Sequence, residues 1–127
     1  MSEQKTPTQD NVLLEVNNLK KYFPIRKGFF KTLAGYVKAV DGVNFFIREG
    51  ETMGLVGESG CGKTTCGRLI AGAMKPTAGS IAFTKDGEDI DLALLARKEL
   101  KPLRKDIQMI FQDPFSSLNP RMTVERI

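Results

Sequence analysis

The chain has 127 residues, 19 Lys plus Arg against 15 Asp plus Glu, two Cys, and neither His nor Trp. That length, with 41% apolar residues, predicts one soluble domain with a core of its own. The absence of His removes most zinc sites, His general bases, and Ser–His or Cys–His triads.

The first 11 residues read as a polar, disordered tail with no apolar signal core. No stretch approaches the roughly 18 apolar residues of a membrane helix. Two Cys spaced C-x4-C make neither a disulfide framework nor a metal site, so a reducing cytosol is the expected setting. Val12 to Val16 is a strand candidate. Lys20, Lys21, Arg26, Lys27, Lys31 and Lys38 then follow with no acid between Val16 and Val40. Such a run is most simply a solvated strand edge, but it also attracts anions: nucleotide phosphates, nucleic acid or an acidic membrane face. Tyr36 to Ile47 is β-like and closes on the turn residues Arg48 to Glu51.

Thr52 to Val56 (TMGLV) is a short apolar run, expected as a buried strand, that leads into a burst of glycine. From Thr64 the period becomes helical: Cys66, Leu69, Ile70, Ala73 and Met74 form one stripe, and Pro76 with Gly79 should end it. Ser80 to Phe83 reads as a strand and Asp86 to Asp91 as an acidic turn. Asp91 is placed to cap a helix reaching about Lys101, with Leu92, Leu95 and Ala96 inward and Pro102 stopping it. Ile107 to Phe111 (IQMIF) reads as a second buried strand, followed by a polar loop, QDPFSSLNPR.

Chemistry concentrates where strand meets helix. Gly57-Glu58-Ser59-Gly60-Cys61-Gly62-Lys63-Thr64 fits G-x-x-x-x-G-K-[ST], the phosphate-cradling Walker A pattern. Glycines at 57, 60 and 62 let phosphate approach the backbone amides and permit unusual dihedrals. The amides of Gly62 to Thr65 lie at a helix start, where the dipole favours an anion. Lys63 is set to reach the β- and γ-phosphates, Thr64 to offer a hydroxyl to Mg²⁺, and Thr65 to touch the α-phosphate. Cys66 lies on the buried stripe and reads as a small core residue. Cys61, inside the loop beside Lys63, sits in the kind of electropositive place that makes a thiol reactive.

The run VKAVDGVNFFIREGETMGLVGESGCGKTTCGRLIAG and the later MIFQDPFSSLNPRMTV resemble the ATP-binding subunits of ABC importers for oligopeptides and dipeptides. The resemblance begins near Leu13 and reaches the last residue. Walker A alone would not select this family; its pairing with FQDP, SLNPRMTV and Glu58 in GESGCGK points to the peptide and nickel branch. The resemblance implies an α/β P-loop NTPase fold, the ABC nucleotide-binding domain, with a parallel core sheet and an antiparallel β subdomain. It implies ATP and Mg²⁺ as cofactors. Phe23, in Leu19-Lys20-Lys21-Tyr22-Phe23, would stack on adenine, with Tyr22 as its substitute. Gln112 would be the Q-loop glutamine, binding Mg²⁺ or orienting a water while its loop touches the permease.

The family's signature motif, Walker B strand, catalytic Glu and switch His all follow the Q-loop, and none occurs in these residues. The expectation is therefore that residues 12–127 are the N-terminal portion of the domain, with an incomplete parallel sheet and no catalytic residue of their own. Expected partners are a second ATP-binding subunit and transmembrane permease subunits at the cytoplasmic face of a bacterial membrane, with no nucleic acid. Two other readings remain: a product that only binds nucleotide or permease, and another P-loop enzyme, although no D-x-x-G or N-K-x-D occurs.

Overall fold

The computed structural model describes residues 11–113. All but the last residue of the expected tail, and the SLNPRMTV motif, lie outside them. The described chain builds one four-stranded antiparallel sheet, with a helix and two short turns of helix packed on it. Strand β1 (Val12–Lys27) and strand β2 (Thr32–Arg48) form a long hairpin. Helix α1 (Lys63–Ile70) follows, then β3 (Ala78–Lys85) and β4 (Glu88–Asp91). A short helix α2 (Arg97–Leu100) and a 3₁₀ turn (Pro102–Lys105) complete the order. In space the strands run β2-β1-β3-β4.

β1 buries Leu14 and Val16 in the alternation that a half-buried strand requires. At Asn17–Asn18 the register shifts against both neighbours. The bulge changes the phase, so that Leu19 turns inward in place of Asn18. Gly79 packs against this bulge: a Cβ there would stand 2.4 Å from the Asn18 carbonyl oxygen, so a side chain is excluded. β3 adds Ile81 and Phe83 from its inner face, and α1 covers them with Cys66 and Leu69. Val16, Leu19, Leu69 and Ile81 are the largest fully buried side chains, each contributing about 1.5–3 kcal/mol by leaving water.

Both hairpin strands are longer than their sequence signals, because pairing along the whole ladder carries the polar, basic stretch into the sheet. The acidic turn contracts to Asp86–Gly87. With φ of 53° and 82° these two residues form the tight connection favoured between twisted strands, and Glu88 to Asp91 continue as β4.

Helix α1 is shorter than its apolar stripe. Gly72, at φ 67°, is its stop signal. The Ala73 amide donates to the Arg68 carbonyl at 2.9 Å and the Gly72 amide to Leu69 at 3.1 Å, which is a Schellman termination. Pro76 comes too late to matter; Ala73 is exposed, while Met74 still packs against the core.

The helix expected from Asp91 does not form, because the Asp91 carboxylate is already engaged. It accepts from the amides of Ile81 and Ala93, each at 3.0 Å, tying β4 to β3. Leu92 is buried and Leu95 half-buried as expected, but Ala96 is exposed. α2 starts only where Glu99 accepts from the Ala96 amide at 2.6 Å. Pro102 ends it and opens the 3₁₀ turn, which Lys85 holds to the sheet through Asp106 at 2.6 Å. That carboxylate raises the Lys85 ammonium above its ordinary value.

The two runs expected as buried core strands, Thr52–Val56 and Ile107–Phe111, are not strands in the described structure. Val56 is 91% exposed and Ile110 96%. An apolar run becomes a strand only when another backbone satisfies its amides and carbonyls. Among the described residues neither run has a ladder partner, the Ile107 amide donating instead to the nearby Leu103 carbonyl at 3.0 Å, and the described sheet contains only antiparallel pairs.

Candidate nucleotide-binding site

The glycine loop spans residues 57–62 between the unpaired apolar run and α1. Gly57, Gly60 and Gly62 have φ of 158°, 80° and 100°, all in the range that L side chains rarely adopt. Gly62 is the N-cap of α1 in the left-handed region, and no side chain caps the helix. The amides of residues 63–65 have no intrahelical acceptor at a helix start, so they are donors available to an anion. The amide of Cys66 begins the ladder by donating to Gly62 at 2.9 Å.

Gly62 is also the point of closest approach to the sheet. A Cβ on it would meet the Ala39 carbonyl oxygen at 2.1 Å. Ala39 is skipped in the hairpin register, where Lys21 pairs with Val40 and Tyr22 with Lys38. It is thus the extra residue of a bulge, a device that re-aims backbone beside functional sites. Behind the loop, Val40, Leu55, Val56, Cys61 and Cys66 contribute to an apolar-lined hollow of about 320 Å³. Burial raises the Cys66 thiol above its ordinary value, consistent with an inert core residue, while Cys61 is exposed.

Lys63 folds back over its own loop. Its ammonium donates to the Gly57 and Glu58 carbonyls, both at 2.6 Å, and lies 3.4 Å from the Cys61 sulfur. A cation held over a ring of amides is arranged to receive an anion between them.

In front of the loop lies a cleft of about 260 Å³ lined by Ala39, Ser59, Gly60, Gly62, Lys63, Thr64, Thr65 and Gln112. The fold therefore brings Gln112 to the phosphate loop from the far end of the described chain. Among the described residues, no carboxylate lines this cleft. The Thr64 hydroxyl and the Gln112 amide oxygen are hard, neutral donors. They suit Mg²⁺ that arrives already bound to phosphate, rather than a cage that would hold the bare ion. Among the described residues, no cluster of His, Cys, Asp or Glu could hold a metal.

Phe23 lies apart from that cleft. It sits on β1 opposite Val37, two residues before Ala39 on β2; it is 39% exposed, and the Lys21 ammonium stands 5.2 Å from its ring centroid. Tyr22, its neighbour, donates its hydroxyl to Asp41, and Lys38 stands over its ring. That hydrogen bond raises the Tyr22 hydroxyl above its ordinary value. It also lowers Asp41, with Lys38 and Lys20 adding to the effect. Ala39 is the cleft residue that sequence reasoning missed. It acts through its backbone, and an alanine carries no side-chain signal.

A family model described as ABC transporter matches residues 40–127. The chain belongs to the ABC transporter family. Within this family it is related to the ATP-binding proteins of peptide importers. It is 53% identical over 122 residues to the oligopeptide transport ATP-binding protein AppF of Bacillus subtilis (strain 168), covering 96% of this chain and 36% of that protein. It is 49% identical to OppF of Salmonella typhimurium (strain LT2), covering 94% and 35%, and 44% identical to the glutathione import ATP-binding protein GsiA of Salmonella choleraesuis, covering 96% and 19%. This ABC chain thus spans little more than a third of the oligopeptide relatives. Its fold matches a dimeric structure of the bacterial ABC transporter cassette MJ0796 with a TM-score of 0.60 and 28% identity, over 72% of this chain and 35% of that one.

Proposed function

We propose that this chain is the phosphate-binding part of an ATPase that energises peptide import, and that it binds ATP with Mg²⁺ at the cleft in front of α1. The observation that carries the reading is the convergence of Ser59, Gly60, Gly62, Lys63, Thr64, Thr65 and Gln112 on one cleft. The amides of residues 63–65 and the α1 dipole hold phosphate oxygens. Lys63 exchanges the Gly57 and Glu58 carbonyls for the β- and γ-phosphates. Thr64 and Gln112 are the residues that would hold Mg²⁺, which neutralises phosphate charge when bound. Phe23 is assigned to the adenine, a role its exposure on β1 allows.

Residues 12–127 are read as the Walker A to Q-loop portion of the domain. Among the described residues of the cleft there is no carboxylate to accept a proton from an attacking water. The chain alone is therefore proposed to bind nucleotide without turning it over. In its assembly it works beside a second ATP-binding subunit and, through the Gln112 loop, against a permease at the cytoplasmic face of a bacterial membrane. Peptide is the favoured cargo because the oligopeptide proteins AppF and OppF are more similar than GsiA.

Calorimetric binding of ATP·Mg²⁺ and a separate turnover assay test both halves. Lys63→Ala should weaken binding about 10- to 150-fold, the equivalent of losing a charge-assisted contact of about 1.5–3 kcal/mol. Unchanged affinity would remove the site, and sustained hydrolysis by the purified chain would remove the binding-only reading.

A further inference from the structure

We propose that the tip of the β1–β2 hairpin is a contact for an anionic lipid surface. Phe29 and Phe30 would enter the boundary between headgroups and acyl chains, while Arg26, Lys27 and Lys31 meet the lipid phosphates. The hairpin ladder ends at Lys27 opposite Thr32, and the Lys31 amide donates to the Gly28 carbonyl at 3.1 Å. Phe29 and Phe30 are therefore the two central residues of the turn, positions that normally take Gly, Pro, Asn, Asp or Ser. They are 97% and 89% exposed and meet edge to face at 5.7 Å between ring centroids, touching each other instead of the core.

The charge around them is of one sign. Between Ile25 and Ala34 there are three cations and no acid. The ion pairs Lys38–Asp41 and Lys85–Asp106 do not involve the tip. Aromatic side chains flanked by Lys and Arg are the chemistry of an interfacial membrane contact. A protruding tip also suits a deformable lipid phase, which needs no preformed pocket to receive it. No tip residue lines the nucleotide cleft, so this contact is separate from nucleotide binding and adds direct lipid contact to attachment through a permease.

The test is flotation of the full chain with vesicles of phosphatidylcholine alone or mixed with phosphatidylglycerol. Binding is expected to the mixed vesicles only, weaker at high salt. Phe29→Ser/Phe30→Ser should reduce it roughly tenfold or more, and Lys27→Glu/Lys31→Glu should also reduce it. Because the chain has no Trp, Phe30→Trp is a single-site probe whose emission should shift to the blue on the mixed vesicles. Binding by the double-serine protein equal to the parent would overturn the proposal, as would absence of binding to either vesicle. A tip variant that alters self-association without any vesicle binding would also overturn it, assigning the tip to a protein contact. The double-serine protein is expected to keep its ATP affinity, so failure here and failure of the nucleotide site are read separately.

Discussion

At the scale of single residues, the phosphate loop is decided by backbone clearance as much as by charge. Gly62 combines φ 100° with a Cβ position 2.1 Å from the Ala39 carbonyl. A methyl group there must displace either the loop or β2. Gly62→Ala is expected to lower stability by about 1–3 kcal/mol and to abolish nucleotide binding, read by urea denaturation and calorimetry. Gly60 has nothing within 4 Å of its Cβ position, so its substitution meets dihedral strain alone and should be milder. Cys61 is exposed and lies 3.4 Å from the Lys63 ammonium. Alkylating it should block ATP, and ATP should protect it; equal labelling rates with and without ATP would disprove the shared site. The Walker pattern can be read from sequence because it is defined by residue type at fixed spacing. Ala39 cannot, since a carbonyl aimed by a bulge leaves no mark on residue type.

At the scale of elements, α1 is the hinge between chemistry and core. Its N-terminus faces the cleft while Cys66 and Leu69 anchor it to the sheet. Leu69→Ala should cost about 2–5 kcal/mol. Because it loosens the support of the loop, it should weaken ATP binding as well, although Leu69 is not a cleft residue. Parallel measurement of unfolding and affinity checks that coupling; a stability loss with unchanged affinity would show that the loop holds its shape without α1's packing. Element types were read correctly for both hairpin strands, α1 and β3. Their lengths were not, for identifiable reasons: Gly72 outranks Pro76 as a stop, and ladder pairing extends strands through polar sequence; the separate helix expected from Asp91 is lost because β3 engages that carboxylate.

At the scale of the whole molecule, order follows pairing. The antiparallel sheet holds the core on its inner face, whereas Thr52–Val56 and Ile107–Phe111 lack ladder partners among the described residues. Amide exchange should separate the two classes. Leu14, Val16, Ile81 and Phe83 are expected to be protected, while Leu55, Val56 and Ile110 exchange near the rate of open chain. Protection of Val56 comparable to that of Val16 would mean that another backbone pairs with it. The basic window is also resolved at this scale. Part of it is spent within the sheet, on the Lys38–Asp41 pair, on Lys20 opposite Asp41 and on Lys21 over the Phe23 ring, and Arg26, Lys27 and Lys31 are concentrated at the hairpin tip.

The sequence by itself determined the family, the phosphate loop and the helix that follows it, since these depend on residue type at fixed spacing and on local dihedral preference. Only the tertiary structure decided that the Ala39 carbonyl closes on Gly62, that Asp91 ties β4 to β3 instead of capping a helix, and that two apolar runs stay outside the described sheet. Each of these is a relation between separate segments of the chain, and a strand or a cleft exists only when a partner backbone arrives to complete it.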